Sequence, residues 1–163
     1  MDGIVRLEVD QVSRDLMCEL HTLAHVLNAL VYTRFGGALL TGAQLSADST
    51  FRVDFDLPGV ENNQLRALDD DLNEVIRQDL PVRTSYMQYD EARNIAGLFR
   101  SKSVAPTPSW DDTVRIVEIV GLDRQACGGT HLVSTERART SRILKVDNKG
   151  RQNRRVKVQV GEA

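Results

Sequence analysis

The 163-residue sequence predicts an α+β domain in which a largely antiparallel sheet packs against a central metal-bearing helix and further helices. Helical periodicity fills three separate stretches, and β-branched alternating runs come in pairs joined by tight turns. Every histidine falls into one of two short clusters, His21-Thr-Leu-Ala-His25 and Cys127-Gly-Gly-Thr-His131, roughly a hundred residues apart.

The first predicted element is a strand over Ile4 to Val9, where Ile4, Arg6 and Glu8 alternate with Val5, Leu7 and Val9. Asp10 or Ser13 caps the helix that follows, which runs to about Arg34 and ends at Gly36-Gly37. At 100° per residue, Leu16, Leu20, Leu23, Leu27 and Leu30 form one stripe of this helix. Cys18, His21, His25, Asn28 and Tyr32 form nearly the opposite one, so a sheet is expected on the leucine side and a pocket on the other. Ala38 to Ser46 and Thr50 to Leu57 read as a hairpin around Ala47-Asp48-Ser49, closed by Pro58-Gly59.

A second helix spans Glu61 to Gln78, with Asp69 to Asp71 on its wet side, until Pro81 stops it. Val82 to Gln88 reads as a strand and Asp90 to Phe99 as a short helix with Ala92, Ile95 and Leu98 inward. Ser101 to Asp112 holds two prolines and the only tryptophan and reads as a loop. Thr113 to Val120 is a β-branched strand whose continuation, 121–131, presents Cys127 and His131. Arg142 to Val146 and Asn153 to Val160 form a last hairpin around Asp147-Asn-Lys-Gly150.

Composition sets the outer limits. With 41% hydrophobic residues, the chain suits one domain over 1–163 with a core large enough to need no staples. No apolar run approaches a membrane span, and MDGIVRLEVD carries acids where a signal peptide would be basic, so a cytoplasmic protein without a membrane partner is expected. A disulfide is then disfavoured, and Cys18 is expected to be a buried free thiol and second-choice ligand. Charge is segregated: residues 137 to 163 carry nine Lys or Arg against Asp147 and Glu162, net +7, and residues 1 to 136 net −9. Such asymmetry points to a polyanionic partner.

The two clusters carry the chemistry. His21 and His25 lie one turn apart on one helical face, about 6 Å along the axis. With Cys127 and His131 they offer the nitrogen and sulfur ligands zinc prefers. Metalloproteases place a glutamate directly after the first histidine as general base; here that residue is Thr22, which disfavours peptide hydrolysis by that route. No histidine remains to act as base.

HTLAH followed far downstream by CGGTH resembles the editing domain of alanyl-tRNA synthetases and the free-standing AlaX-type proteins. GAQLSADSTFRVDFDL is similar to that family's glutamine-bearing hairpin and following strand, and threonyl-tRNA synthetase editing domains share the ligand pattern. The resemblance covers nearly the whole chain and implies zinc at His21, His25, Cys127 and His131. It also implies a short free-standing form that hydrolyses the ester joining a wrong amino acid, serine or glycine, to alanine tRNA.

On that reading Gln44 and Thr41 hydrogen-bond a serine hydroxyl or the ester carbonyl, which is how cognate alanine escapes. Gly128, Gly129 and Thr130 bring backbone donors to the terminal adenosine, and Arg151, Arg154, Arg155 and Lys157 meet tRNA phosphates. The rival reading is a non-catalytic zinc-stabilised module that binds RNA through its basic hairpin.

Overall fold

The computed structural model describes residues 4–162, which form two antiparallel sheets and three short helices around a long first helix. Helix α1 (Gln11–Arg34) is capped by Asp10, whose carboxylate accepts from the Ser13 amide at 2.7 Å. Leu20, Leu23 and Leu27 are fully buried with Phe51, Val53 and Phe55 and with Val156 and Val158. The opposite side of the helix is buried as well, with His25 and Asn28 turned toward a second layer. Both faces of α1 are therefore occupied, and the helix contacts strands of both sheets.

The larger sheet has the order β1-β2-β7-β6, from β1 (Leu40–Ser46), β2 (Thr50–Asp56), β6 (Ser141–Lys149) and β7 (Asn153–Val160). The smaller is a meander of β3 (Val82–Gln88), β4 (Thr113–Ile119) and β5 (Asp123–Ala126). Helix α2 (Asn62–Arg66) and helix α3 (Leu68–Arg77) cover the larger sheet, and α4 (Tyr89–Ala92) closes the smaller one. A single 3₁₀ turn, Thr135–Arg137, precedes β6. Among the described residues no helix is long and apolar enough to cross a membrane.

Five expectations change. Residues 4–10 form no strand: Ile4, Val5 and Leu7 are 102%, 79% and 89% exposed, because alternation without a neighbouring strand buries nothing. The antiparallel strands divide into two sheets rather than one. The second helix breaks at Ala67, whose ψ of −8° tightens the turn between α2 and α3 while Leu65, Leu68 and Leu72 stay fully buried. Helix 90–99 stops at Ala92, since the Asn94 side chain donates to the Asp90 carbonyl and Gly97 takes a φ of +81°. Asp69 is not on the wet side, for its carboxylate accepts from the Ile143 amide on the outer edge of β6.

Candidate metal centre

Helix α1 and the loop after β5 meet at one point. His21 and His25 project from α1, Cys127 and His131 from the loop, and their ligand atoms all lie within 4.8 Å of one another. Cys127 Sγ is 3.5 Å from His21 Nε2 and 3.5 Å from His131 Nε2. The three imidazoles crowd together, with ring centroids 4.2 to 4.9 Å apart. Cys18 is a free thiol outside this group.

Hydrogen bonds fix which nitrogens are available. His21 Nδ1 faces the Thr130 carbonyl at 3.2 Å, which only accepts, so this nitrogen carries the proton and Nε2 keeps its lone pair. The Thr22 hydroxyl donates to the Cys18 carbonyl at 2.8 Å, so it accepts from His131 Nδ1 at 3.3 Å and from the Leu132 amide at 3.0 Å. His131 Nε2 is thereby also left as a free ligand atom. His25 Nδ1 is buried without a partner, a condition that a metal bound through this nitrogen relieves.

Burial sets the protonation of the group. It holds the His25 imidazole well below its usual range, and the neighbouring His131 and His21 rings add to the effect. Burial, followed by the His21 and Arg115 charges, lowers His131 to about 3. Burial also lowers His21, against the opposing bond to Thr130, and pushes the Cys127 thiol up. Neutral imidazoles are the form that ligates, and the thiol gives up its proton as metal binds. The donor set of three nitrogens and one sulfur, with two Nε2 atoms pre-oriented, fits a zinc ion.

The ligand loop is held from outside. Arg115 on β4 donates through Nη1 to the carbonyls of Cys127 and Gly129, at 3.1 and 2.5 Å, and the Gly129 amide donates to Cys127 Sγ at 3.4 Å. A Cβ built at Gly129 would stand 2.2 Å from His21 Cε1, so only glycine lets the loop close on the helix. Neither Thr22 nor Arg115 was expected among the functional residues, because their roles depend on which carbonyls a fold brings to them.

Beside the centre opens a cavity of about 600 Å³ between α1, β1, β4, β5 and the loop 100–109. Gln44 and Gly128 line it, and so do Asn28, Arg100, Arg115 and Gln125, which the sequence reading assigned no role. Asp123, Gln125 and Asn28 link in series beneath it, with Arg100 paired to Asp123 at 2.6 Å. Among the described residues no carboxylate belongs to the lining. Thr41, Gly129 and Thr130 do not reach the lining, and the Thr41 hydroxyl bonds Asn153 Oδ1 at 3.4 Å instead.

The basic hairpin is less free than its charge suggests. Arg154 is buried and donates to the Val60 carbonyl at 2.9 Å, so it is a structural residue rather than a phosphate contact. Arg155 forms a two-point pair with Asp54, both bonds 2.7 Å. Arg151 and Lys157 are exposed.

With this geometry in view, the similarity to known proteins becomes specific. The family model described as the second additional domain of threonyl and alanyl tRNA synthetases matches residues 114–157. An alanyl-tRNA editing protein AlaX-M of Saccharolobus solfataricus is 36% identical over 91% of this chain and 60% of its own length. The chain is homologous to the AlaX-M editing proteins. A second AlaX-M, from Methanosarcina barkeri, is 38% identical over 84% of the chain and 55% of its own length. The alanine–tRNA ligase of Thermotoga maritima is 28% identical over 99% of the chain, which spans 19% of that ligase. The chain thus spans about 60% of the AlaX-M relatives. The family segment holds Cys127 and His131, and the AlaX-M similarity extends over most of the remaining chain.

Proposed function

We propose that this chain is a zinc-dependent aminoacyl-tRNA deacylase that removes serine, and also glycine, from mischarged alanine tRNA by ester hydrolysis. The observation that carries this reading is the meeting of His21, His25, Cys127 and His131 in one cluster, three of which, His21, His25 and Cys127, line a cavity of about 600 Å³. The homology to proteins named for alanyl-tRNA editing supports the choice of substrate class.

A zinc ion held by these four side chains would supply positive charge for an ester carbonyl or an amino group. The remaining work belongs to the chain. Arg52 Nε donates to Gln44 Oε1 at 3.0 Å, which leaves the Gln44 amide N–H free to donate to the ester carbonyl. Asp54, itself paired with Arg155 of β7, holds the Arg52 guanidinium that in turn fixes the Gln44 side chain. Among the described residues no carboxylate lines the cavity, so none of their Asp or Glu side chains is placed there to take the proton of attacking water. Ester hydrolysis, with its good leaving group, suits such a site better than amide cleavage.

The test is release of serine, glycine and alanine from their alanine-tRNA esters by zinc-loaded protein, with and without chelator, beside a Cys127→Ala variant. The expected result is chelator-sensitive loss of serine and glycine with alanine spared, and a Cys127→Ala protein that melts cooperatively yet is inactive. Folded, zinc-loaded protein that cleaves none of these esters would leave the RNA-binding module as the reading.

A further inference from the structure

The polar series beneath the cavity has a fixed direction. Arg100 can only donate, and it pairs with Asp123 Oδ1 at 2.6 Å, so the Asp123 carboxylate accepts. Gln125 must then turn its amide N–H to Asp123 Oδ2 and its oxygen to Asn28. Asn28 in turn must donate through Nδ2, at 3.1 Å, which leaves its Oδ1 as an acceptor. That oxygen is buried and has no partner among the described residues, on a residue only 1% exposed that lines the same cavity as His21 and His25. A buried acceptor left unmet carries the full cost of its lost hydration, so a donor arriving there is held specifically.

Charge decides which donor. The Arg100 charge is met by Asp123, whereas among the described residues Arg115 at the cavity has no carboxylate partner and no carboxylate lines the cavity, so a cationic donor is disfavoured and a neutral O–H is favoured. We propose that Asn28 Oδ1 is a hydroxyl-recognition subsite of the cavity, with Gln125 and Asp123 as positioning residues. The inference rests on the deacylase reading for the identity of the ligand, an aminoacyl adenosine. Two of its hydroxyls have the required chemistry: the serine side chain and the ribose 2′ hydroxyl. The direction of the series excludes acceptor-only groups such as the ester carbonyl, which Gln44 serves.

Binding of amide-linked seryl-3′-aminoadenosine, its glycyl counterpart and the 2′-deoxy seryl compound by calorimetry tests this without turnover. An Asn28→Ala protein, checked for full zinc content, should bind the seryl compound about tenfold more weakly and the glycyl compound as well as the parent, if serine supplies the hydroxyl. If the ribose supplies it, seryl and glycyl binding fall together and the 2′-deoxy compound binds parent and variant alike. Gln125→Met, which breaks the series but keeps the Arg100–Asp123 pair, should shift the same compounds in the same direction. Unchanged binding of all three, equal losses for all three, or no binding to the parent protein overturns the subsite. Seryl-ester turnover is scored separately: absent turnover with Asn28-dependent binding removes the deacylase and keeps the subsite, and the converse keeps the deacylase alone.

Discussion

Gly129 has the least freedom of any residue in the centre. A methyl group there would lie 2.2 Å from His21 Cε1 and 2.5 Å from His21 Nδ1, which is inside the ring's own van der Waals surface. The loop is pinned by Arg115 on one side and Thr22 on the other, so the ring rather than the loop must yield. Gly129→Ala is therefore expected to lose His21 as a ligand and to lower zinc affinity by about 10 to 100-fold while the melting transition stays cooperative. Competition for zinc against a chelating dye measures this, and an affinity equal to the parent's would show that the loop relaxes instead. That His21, His25, Cys127 and His131 form one cluster was legible in the sequence because their spacing, four residues apart in each pair, is itself the signal. Thr22 and Arg115 were not, since a threonine in a helix and an arginine in a strand take their roles from partners more than ten residues away. Asn28 lay between these cases: its place on the histidine face was legible, and its unmet oxygen was not.

The elements that the sequence revealed are those with enough apolar surface to choose their own partner. Helix α1, the β1–β2 hairpin and the β6–β7 hairpin lie close to where periodicity put them, since α1 and the inner strands β2 and β7 bury a complete face. The segment 4–9 has the alternation of a strand and no neighbour to pair with, so pattern alone misled. The β1–β2–β7 register places Asp54 opposite Arg155, with Arg52 two residues away on the same face. Burial alone would raise the Asp54 carboxyl, but the Arg155 and Arg52 guanidinium groups outweigh it and hold it below the ordinary 3.8. A depressed carboxylate contributes stability above its unfolded value and loses it as pH falls through the folded value. Asp54→Asn should therefore cost about 1 kcal/mol near pH 7, after allowance for solvent screening. Thermal melts from pH 7 to pH 3 should show the gap between variant and parent closing below about pH 4; a constant gap would assign the loss to packing rather than charge.

At the scale of the whole molecule, segregated charge is the feature most readily read from sequence and most altered by folding. Nine bases fall in residues 137–163, yet Arg154 is buried on the Val60 carbonyl, Arg155 is tied to Asp54, and Arg139 to Glu19 at 2.7 Å. Arg137, Arg142, Lys149, Arg151 and Lys157 are exposed and form no ion pair among the described residues. The β6–β7 turn, with Arg151, lies at the β1 end of the sheet, where the Leu57 amide bonds the Gln152 carbonyl at 2.7 Å and Thr41 reaches Asn153. Leu40, where β1 begins at this end, also lines the cavity. For tRNA binding measured by fluorescence anisotropy between 50 and 200 mM salt, log K should fall linearly with log salt. Arg151→Gln should weaken binding and make that slope shallower by about 0.9, the share of one phosphate contact. Arg154→Gln should instead lower the melting temperature, because it leaves the Val60 carbonyl unpaired, and leave the slope of the folded protein unchanged. If the two variants exchanged behaviours, the phosphate track would run along the face of the sheet that holds Arg154 rather than over the turn.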